Sequence, residues 1–121
     1  MTNKIIIDGV LMKRQRAYSR YAKEAATLMG EQVKLGRKQK RWTEKELAER
    51  AGISRATLQK IEKGDMSCAI GLVFEVATLV NIPLFEQDTY PLSRQVEQIR
   101  DKTALLPQRI RMRENVVDDN F

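Results

Sequence analysis

The 121 residues include no histidine and a single cysteine. One thiol cannot close an internal disulfide, and one thiol without an imidazole cannot build a zinc finger. The same absence removes Ser-His-Asp and Cys-His catalysis. No metal-ligand cluster and no glycine-rich phosphate loop appear, so neither enzymatic chemistry nor a cofactor or metal is expected. Aromatic residues make up only 6% of the chain, while Leu, Ile, Val and Ala are common. That composition suits small packed helices. No apolar run approaches the ~18–20 residues that span a bilayer, so a membrane is not expected as a partner. The opening stretch, MTNKIIIDGVLMKRQR, has too short an apolar segment for a secretion signal, with its charges on the wrong side. A reduced, cytoplasmic location is the expectation.

What is present is positive charge, unevenly placed. The net charge is +6, and the sequence pI is about 9.7. Both point to an anionic partner. Residues 1–41 hold eleven Lys/Arg against three Asp/Glu, and residues 42–64 hold five against four. Residues 65–90 hold none against four, and residues 91–121 hold six against five. The basic block therefore lies just before residues 43–64, where it can flank a nucleic-acid backbone. A solvated basic tail is the alternative for residues 13–23.

Residues 43–64, TEKELAERAGISRATLQKIEKG, read as two short helices joined by a tight turn. Thr43 stands at an N-cap and Glu46 three residues later, the spacing of a capping box. Leu47, Ala48 and Ala51 fall on one helical face, leaving Lys45, Glu49 and Arg50 outside. Gly52 can take the left-handed conformation that stops a helix. Ile53 plugs the turn, and Ser54 is a second N-cap. Leu58 and Ile61 face inward, while Arg55, Ala56, Gln59, Lys60 and Lys63 lie on the outer side. Gly64 ends the helix. Two helices of this length with a short glycine-bearing turn are the motif that places its second helix in the DNA major groove.

The flanking chain reads as support and attachment. Ile5-Ile6-Ile7, bounded by Asp8-Gly9, is a short strand pairing in a dimer or a disordered leader, with disorder or weak order favoured. Residues 13–20 are basic, with Tyr18 and Tyr21 interleaved. One helix is predicted over 21–40, with Ala25, Leu28, Met29, Val33, Gly36 or Arg37, and Lys40 on its inner stripe. Gly30 and Gly36 lower its helix propensity but permit close approach by other helices. Arg37 on that stripe needs a partner, and Glu62 is the one expected. Trp42 is expected to pack at the helix junction. Ser67 is expected to cap a helix from Cys68 to about Val80, with Ile70, Val73, Phe74, Ala77 and Leu79 or Val80 inward. At that helix start Cys68 would have a somewhat lowered pKa, although nothing nearby completes a reactive site. Asn81 ends that helix, Pro83 follows, and Leu84-Phe85 form a closing turn on the core. Residues 91–104 read as a further helix whose Leu92, Val96, Ile99, Thr103 and Leu106 alternate at four and three, as in a coiled-coil seam. Pro107 stops it. The tail RIRMR alternates like a strand, then turns acidic and ends in Phe121. Three segments follow: a basic extension at 1–20, either weakly ordered or disordered; a helix-turn-helix domain at 21–90; and a C-terminal helix and tail at 91–121 for dimer or partner contact.

LGRKQKRWTEKELAERAGISRATLQKIEKG resembles the Xre-type helix-turn-helix of the Cro/lambda-repressor-like superfamily over roughly residues 28–86. The fold this implies is all-α, a five-helix domain, here with an N-terminal extension and a C-terminal helix plus tail. A narrower resemblance covers about Tyr21 to Phe121. YAKEAATLMGEQVKLGRKQKRWTEKELAERAG, IGLVFEVATLVNIPLF, LLPQRIRMR and the terminal DDNF look like the small antitoxins encoded beside HipA-type kinase toxins. Residues 1–20 fall outside it. By position, Arg37 and Glu62 match the superfamily's buried ion pair. Thr43 and Glu44 stand where the family usually has Thr-Gln, with the Gln on a phosphate. Glu44 is acidic and would repel phosphate, so that contact passes to Thr43, Lys45 or the helix N-terminus.

Ser54, Arg55, Ala56, Gln59 and Lys60 match the positions that face base edges and nearby phosphates, and Thr57 and Lys63 complete the expected DNA-binding set. Their chemistry agrees. Arg55 can bond guanine O6 and N7, Gln59 can bond adenine N6 and N7, and Ala56 can touch a thymine methyl. Ser54, Lys60 and Lys63 suit phosphates, which position without reading sequence. One such motif reads only a few base pairs, so a homodimer on a palindromic double-stranded operator is expected, with half-sites about 34–36 Å apart. The resemblance implies a sequence-specific repressor that is the antitoxin of a HipA-type operon, autoregulating it and neutralising a serine/threonine kinase toxin. The alternatives are a stand-alone phage-type or housekeeping repressor without a toxin partner, and an interaction module that no longer binds DNA.

Overall fold

The computed structural model describes residues 4–7, 10–13 and 16–110. Among them are two strands, β1 (Lys4–Ile7) and β2 (Val10–Lys13), and five helices. The helices are α1 (Arg20–Gln39), α2 (Glu44–Ala51), α3 (Arg55–Glu62), α4 (Ile70–Leu79) and α5 (Leu92–Ala104). The chain divides into two compact units, one ending at Leu84 and the other starting at Phe85; the expected boundary lay at 90/91. The expected strand-like tail and acidic end at 111–121 lie outside the described residues.

In the first unit, β1 and β2 pair antiparallel, with Lys4 opposite Lys13 and Ile7 opposite Val10. Sequence reasoning favoured disorder or weak order here, with a strand pairing in a dimer as the alternative; instead β1 pairs with β2 of the same chain. The β-branched run of Ile5, Ile6 and Ile7 has high strand propensity, and Asp-Gly between two apolar runs is hairpin composition.

The helical core consists of Val33, Leu47, Ala48, Leu58, Ile61, Val76, Ala77 and Val80. Each of α1 to α4 contributes to it. The α1 stripe is narrower than the periodicity suggested: Gly30, Val33, Gly36 and Arg37 are buried, whereas Leu28 is 59% exposed. Gly30 is at its position because α1 crosses the end of α3 there. A Cβ built on it would lie 2.6 Å from the carbonyl oxygens of both Ile61 and Glu62. Ser19 caps α1, accepting from the Ala22 N–H.

The predicted caps of α2 and α3 are in place. Thr43 and Glu46 form the reciprocal capping box, at 2.8 and 3.0 Å. Gly52 closes α2 with φ 70°, in the left-handed region. Ser54 caps α3 by accepting from the Thr57 N–H at 3.0 Å.

The start of α4 differs from expectation. Ser67 does not cap it: both its N–H and its hydroxyl bond Asp65 Oδ1. The Asp65 side chain thus closes a local turn, and α4 begins later, after Ala69, without a side-chain cap. Its inward face is Val73, Val76, Ala77 and Val80, while Ile70 is 68% exposed. Asn81 ends the helix at φ 64°. Leu84 packs against the core, whereas Phe85 is exposed and belongs to the second unit. Cys68 lies two residues before α4 instead of in its first turn. Burial pushes its thiol pKa up and the nearby Asp65 adds to this, with Lys60 opposing. The expected lowering is therefore reversed.

In the second unit, Gln95 ties the start of α5 to the preceding segment. Its amide donates to the carbonyls of Glu86 at 2.6 Å and Tyr90 at 3.0 Å. No residue of α5 is buried. Phe85, Leu92, Gln95, Val96, Ile99 and Arg100 line an apolar cleft of ≈410 Å³.

Candidate nucleic-acid interface

The orientation of α3 is set from its C-terminal end. Arg37 of α1 meets Glu62 in a two-pronged ion pair, Nε to Oε2 at 2.7 Å and NH2 to Oε1 at 3.1 Å. Both residues are buried, at 7% and 5% exposure. The third nitrogen of the fork, NH1, donates to the Trp42 carbonyl at 3.1 Å, so one guanidinium joins α1, the end of α3 and the segment before α2. The bond to Glu62 raises the Arg37 pKa, burial opposes, and the charges of Glu62 and Glu44 add to the rise. Arg37 thus stays charged, and its charge is matched in place. The Trp42 ring packs against the core, with the Arg50 guanidinium 4.2 Å and the Lys40 ammonium 5.1 Å from its centre.

With Leu58, Ile61 and Glu62 turned inward, the other side of α3 is polar. Ser54, Arg55, Ala56, Lys60 and Lys63 are exposed, and Thr57 and Gln59 are half-buried. The Ser54 hydroxyl donates to Thr57 Oγ1 at 2.9 Å. The proton that Ser54 would offer a phosphate is therefore committed to Thr57. Thr43 and Lys45, also exposed, flank Glu44 at the start of α2. The Thr43 oxygen accepts the Glu46 N–H, which leaves its hydroxyl proton to donate.

The contact that sequence reasoning missed is at Glu44. Its Oε1 accepts from Gln59 Nε2 at 3.0 Å and from Arg55 Nε at 3.3 Å. The Glu44 side chain is 27% exposed and that of Arg55 65%. The Gln59 hydrogen bond is the main cause holding the Glu44 pKa below the usual carboxylate range. The bond from Arg55 and the charges of Arg37 and Arg55 act the same way, against desolvation. The available signal was an acid at the first position of α2, with an Arg and a Gln eleven and fifteen residues on.

Among the described residues, no group of three or more His, Cys, Asp or Glu could hold a metal ion. No described helix is long and apolar enough to cross a membrane.

Residues 33–87 match the helix-turn-helix family. No curated protein matches the chain. Among solved structures, a chain of the HipA-HipB-O2-O3 complex is similar at 28% identity, covering 63% of this chain and 99% of its own, with a TM-score of 0.46. A chain of the HipB-O4 20mer complex is similar at 26% identity, with the same coverages and TM-score. Four helices packed around one core, with the match over 33–87, make this part of the chain a helix-turn-helix domain.

Proposed function

We propose that the protein is a sequence-specific repressor that binds a palindromic operator as a homodimer, with α3 in the major groove. The observation that carries this reading is the division of α3 into a buried side, Leu58, Ile61 and Glu62, and a polar outer side, Ser54 to Lys63. Arg55 and Gln59 read bases through their planar, multi-atom groups. Lys60, Lys63, Lys45 and the hydroxyls of Thr43 and Thr57 hold phosphates and set the docking position. The exposed Lys38 and Arg41, just before α2, add backbone charge. The test is selection of preferred sites from a random duplex pool, with variants. Arg55→Ala is expected to relax preference at one position of each half-site. Lys63→Ala is expected to weaken all duplexes alike and to reduce the slope of log affinity against log salt by about 0.9. An unchanged preference in Arg55→Ala refutes this docking register.

The finer reading, an antitoxin for a HipA-type serine/threonine kinase toxin, is supported by the sequence resemblance over 21–121. It is also supported by the apolar seam of α5, where Val96 and Ile99 are 46% and 60% exposed. The experiment is a nuclease-treated pull-down of the tagged full chain, alongside a chain truncated before Pro91. A stoichiometric kinase held by the full chain and lost on truncation is the expected result. Recovery of DNA with no protein partner leaves a stand-alone dimeric repressor.

A further inference from the structure

We infer that Glu44 is a specificity-determining positioning residue, which orders the two base-reading side chains while its charge weakens binding to every duplex alike. The inference rests on α3 as the reading helix. One carboxylate oxygen, Glu44 Oε1, holds both Gln59 Nε2 and Arg55 Nε. Neither bond uses the atoms that base reading needs. Gln59 keeps its second N–H and its carbonyl oxygen, the pair that matches adenine N7 and N6. Arg55 keeps both terminal nitrogens for guanine O6 and N7.

The bond also decides which way each group faces. A primary amide turned by half a rotation presents the opposite donor and acceptor order. With its N–H2 drawn to Glu44, Gln59 offers one order only. A guanidinium held at Nε presents its two terminal nitrogens as a fork. Both readers are thus arranged before DNA arrives, and less freedom is lost on binding.

The negative charge acts on every duplex. Glu44 opens α2 at a place where a phosphate is expected, and the repulsion there does not depend on sequence. It therefore lowers absolute affinity for cognate and other sites by the same factor and cancels from their ratio. The ratio of specific to non-specific binding, the quantity that matters against a genome of competing sites, is raised by the ordering of Arg55 and Gln59.

The test compares the full chain with Glu44→Gln, Glu44→Ala, Arg55→Ala and Gln59→Ala. Each is measured across a salt series on the duplex selected by the full chain, on its single-base variants and on a scrambled duplex. Glu44→Gln keeps an accepting oxygen and loses the charge. It is expected to bind the scrambled duplex more tightly, with a salt slope steeper by up to about 0.9, and to keep its base preferences. Glu44→Ala is expected to bind the scrambled duplex more tightly too. It is also expected to lose roughly tenfold in preference at the bases that Arg55→Ala and Gln59→Ala flatten. Preferences kept intact in Glu44→Ala, at positions which Arg55→Ala and Gln59→Ala do flatten, overturn the inference alone. Arg55→Ala and Gln59→Ala that flatten no position overturn the reading of α3, and this inference with it.

Discussion

Glu62→Ala removes one partner of a buried ion pair and leaves the other in place. The Arg37 guanidinium would remain 7% exposed by its position, with the Trp42 carbonyl still accepting from NH1 and nothing facing Nε and NH2. Breaking a buried pair in this way costs about 3–5 kcal/mol. The unit ending at Leu84 has about 4–13 kcal/mol in all, at roughly 0.05–0.15 kcal/mol per residue. Glu62→Ala is therefore expected to lose about a quarter or more of the domain's stability, and to be partly unfolded at 25 °C if the total is at the low end. Replacing both partners, as Arg37→Met with Glu62→Leu, removes two desolvated charges together. That double variant is expected to fall near the parent. The gain of up to about 1–4 kcal/mol from apolar packing is offset by about 1 kcal/mol for the Trp42 carbonyl left without its donor. Urea unfolding followed by circular dichroism, with linear extrapolation to water, measures both. A loss below about 1 kcal/mol in Glu62→Ala, or a double variant no better than the single, refutes the pairing argument.

Gly30→Ala and Gly71→Ala are expected to move stability in opposite directions in a thermal melt. The first drives a methyl group into the Ile61 and Glu62 carbonyls at 2.6 Å, an overpacking of about 1–3 kcal/mol that exceeds the helix gain. The second meets nothing within 4 Å and gains up to about 0.5–1 kcal/mol from the loss of glycine's backbone freedom. For Cys68 the raised pKa lowers the thiolate fraction at any given pH. Alkylation of the folded protein is expected to run slower than that of the urea-unfolded chain, with the rate rising only above the usual thiol range. The same sign makes the neutral thiol the form favoured by folding, so this contribution is present below the unfolded thiol's pKa and fades as pH rises through the folded one. Equal alkylation rates in the two states would contradict it.

The parts of the fold legible in the sequence were those governed by near neighbours. Thr43 with Glu46, Ser54 and Gly52 are short-range devices, and each does in the fold what its spacing implied. Arg37 was legible for a different reason: a charge on an inward stripe needs a partner, and Glu62 closed the helix that α1 had to cross. What escaped was set by tertiary surroundings. Ser67 had the right type for a cap, but Asp65 competes for it two residues away. Leu28 had the right period, but the neighbouring helices cover only the arc through Gly30, Val33 and Arg37. Glu44 was read through its charge toward phosphate alone, because its bonds to Arg55 and Gln59 form only when α2 and α3 pack together.

The two-sided build of α3 separates what keeps the domain folded from what it recognises. Leu58, Ile61 and Glu62 hold the helix to the body and Ser54 caps it, whereas Arg55, Ala56, Lys60 and Lys63 are exposed on its outer side. New side chains at these outer positions can retarget the protein to another operator at almost no cost in melting temperature. Positions 55 and 59 are less independent than the rest. Both lean on Glu44, so a change of vocabulary at either should come with a change at 44, and the three positions should drift through evolution as one word.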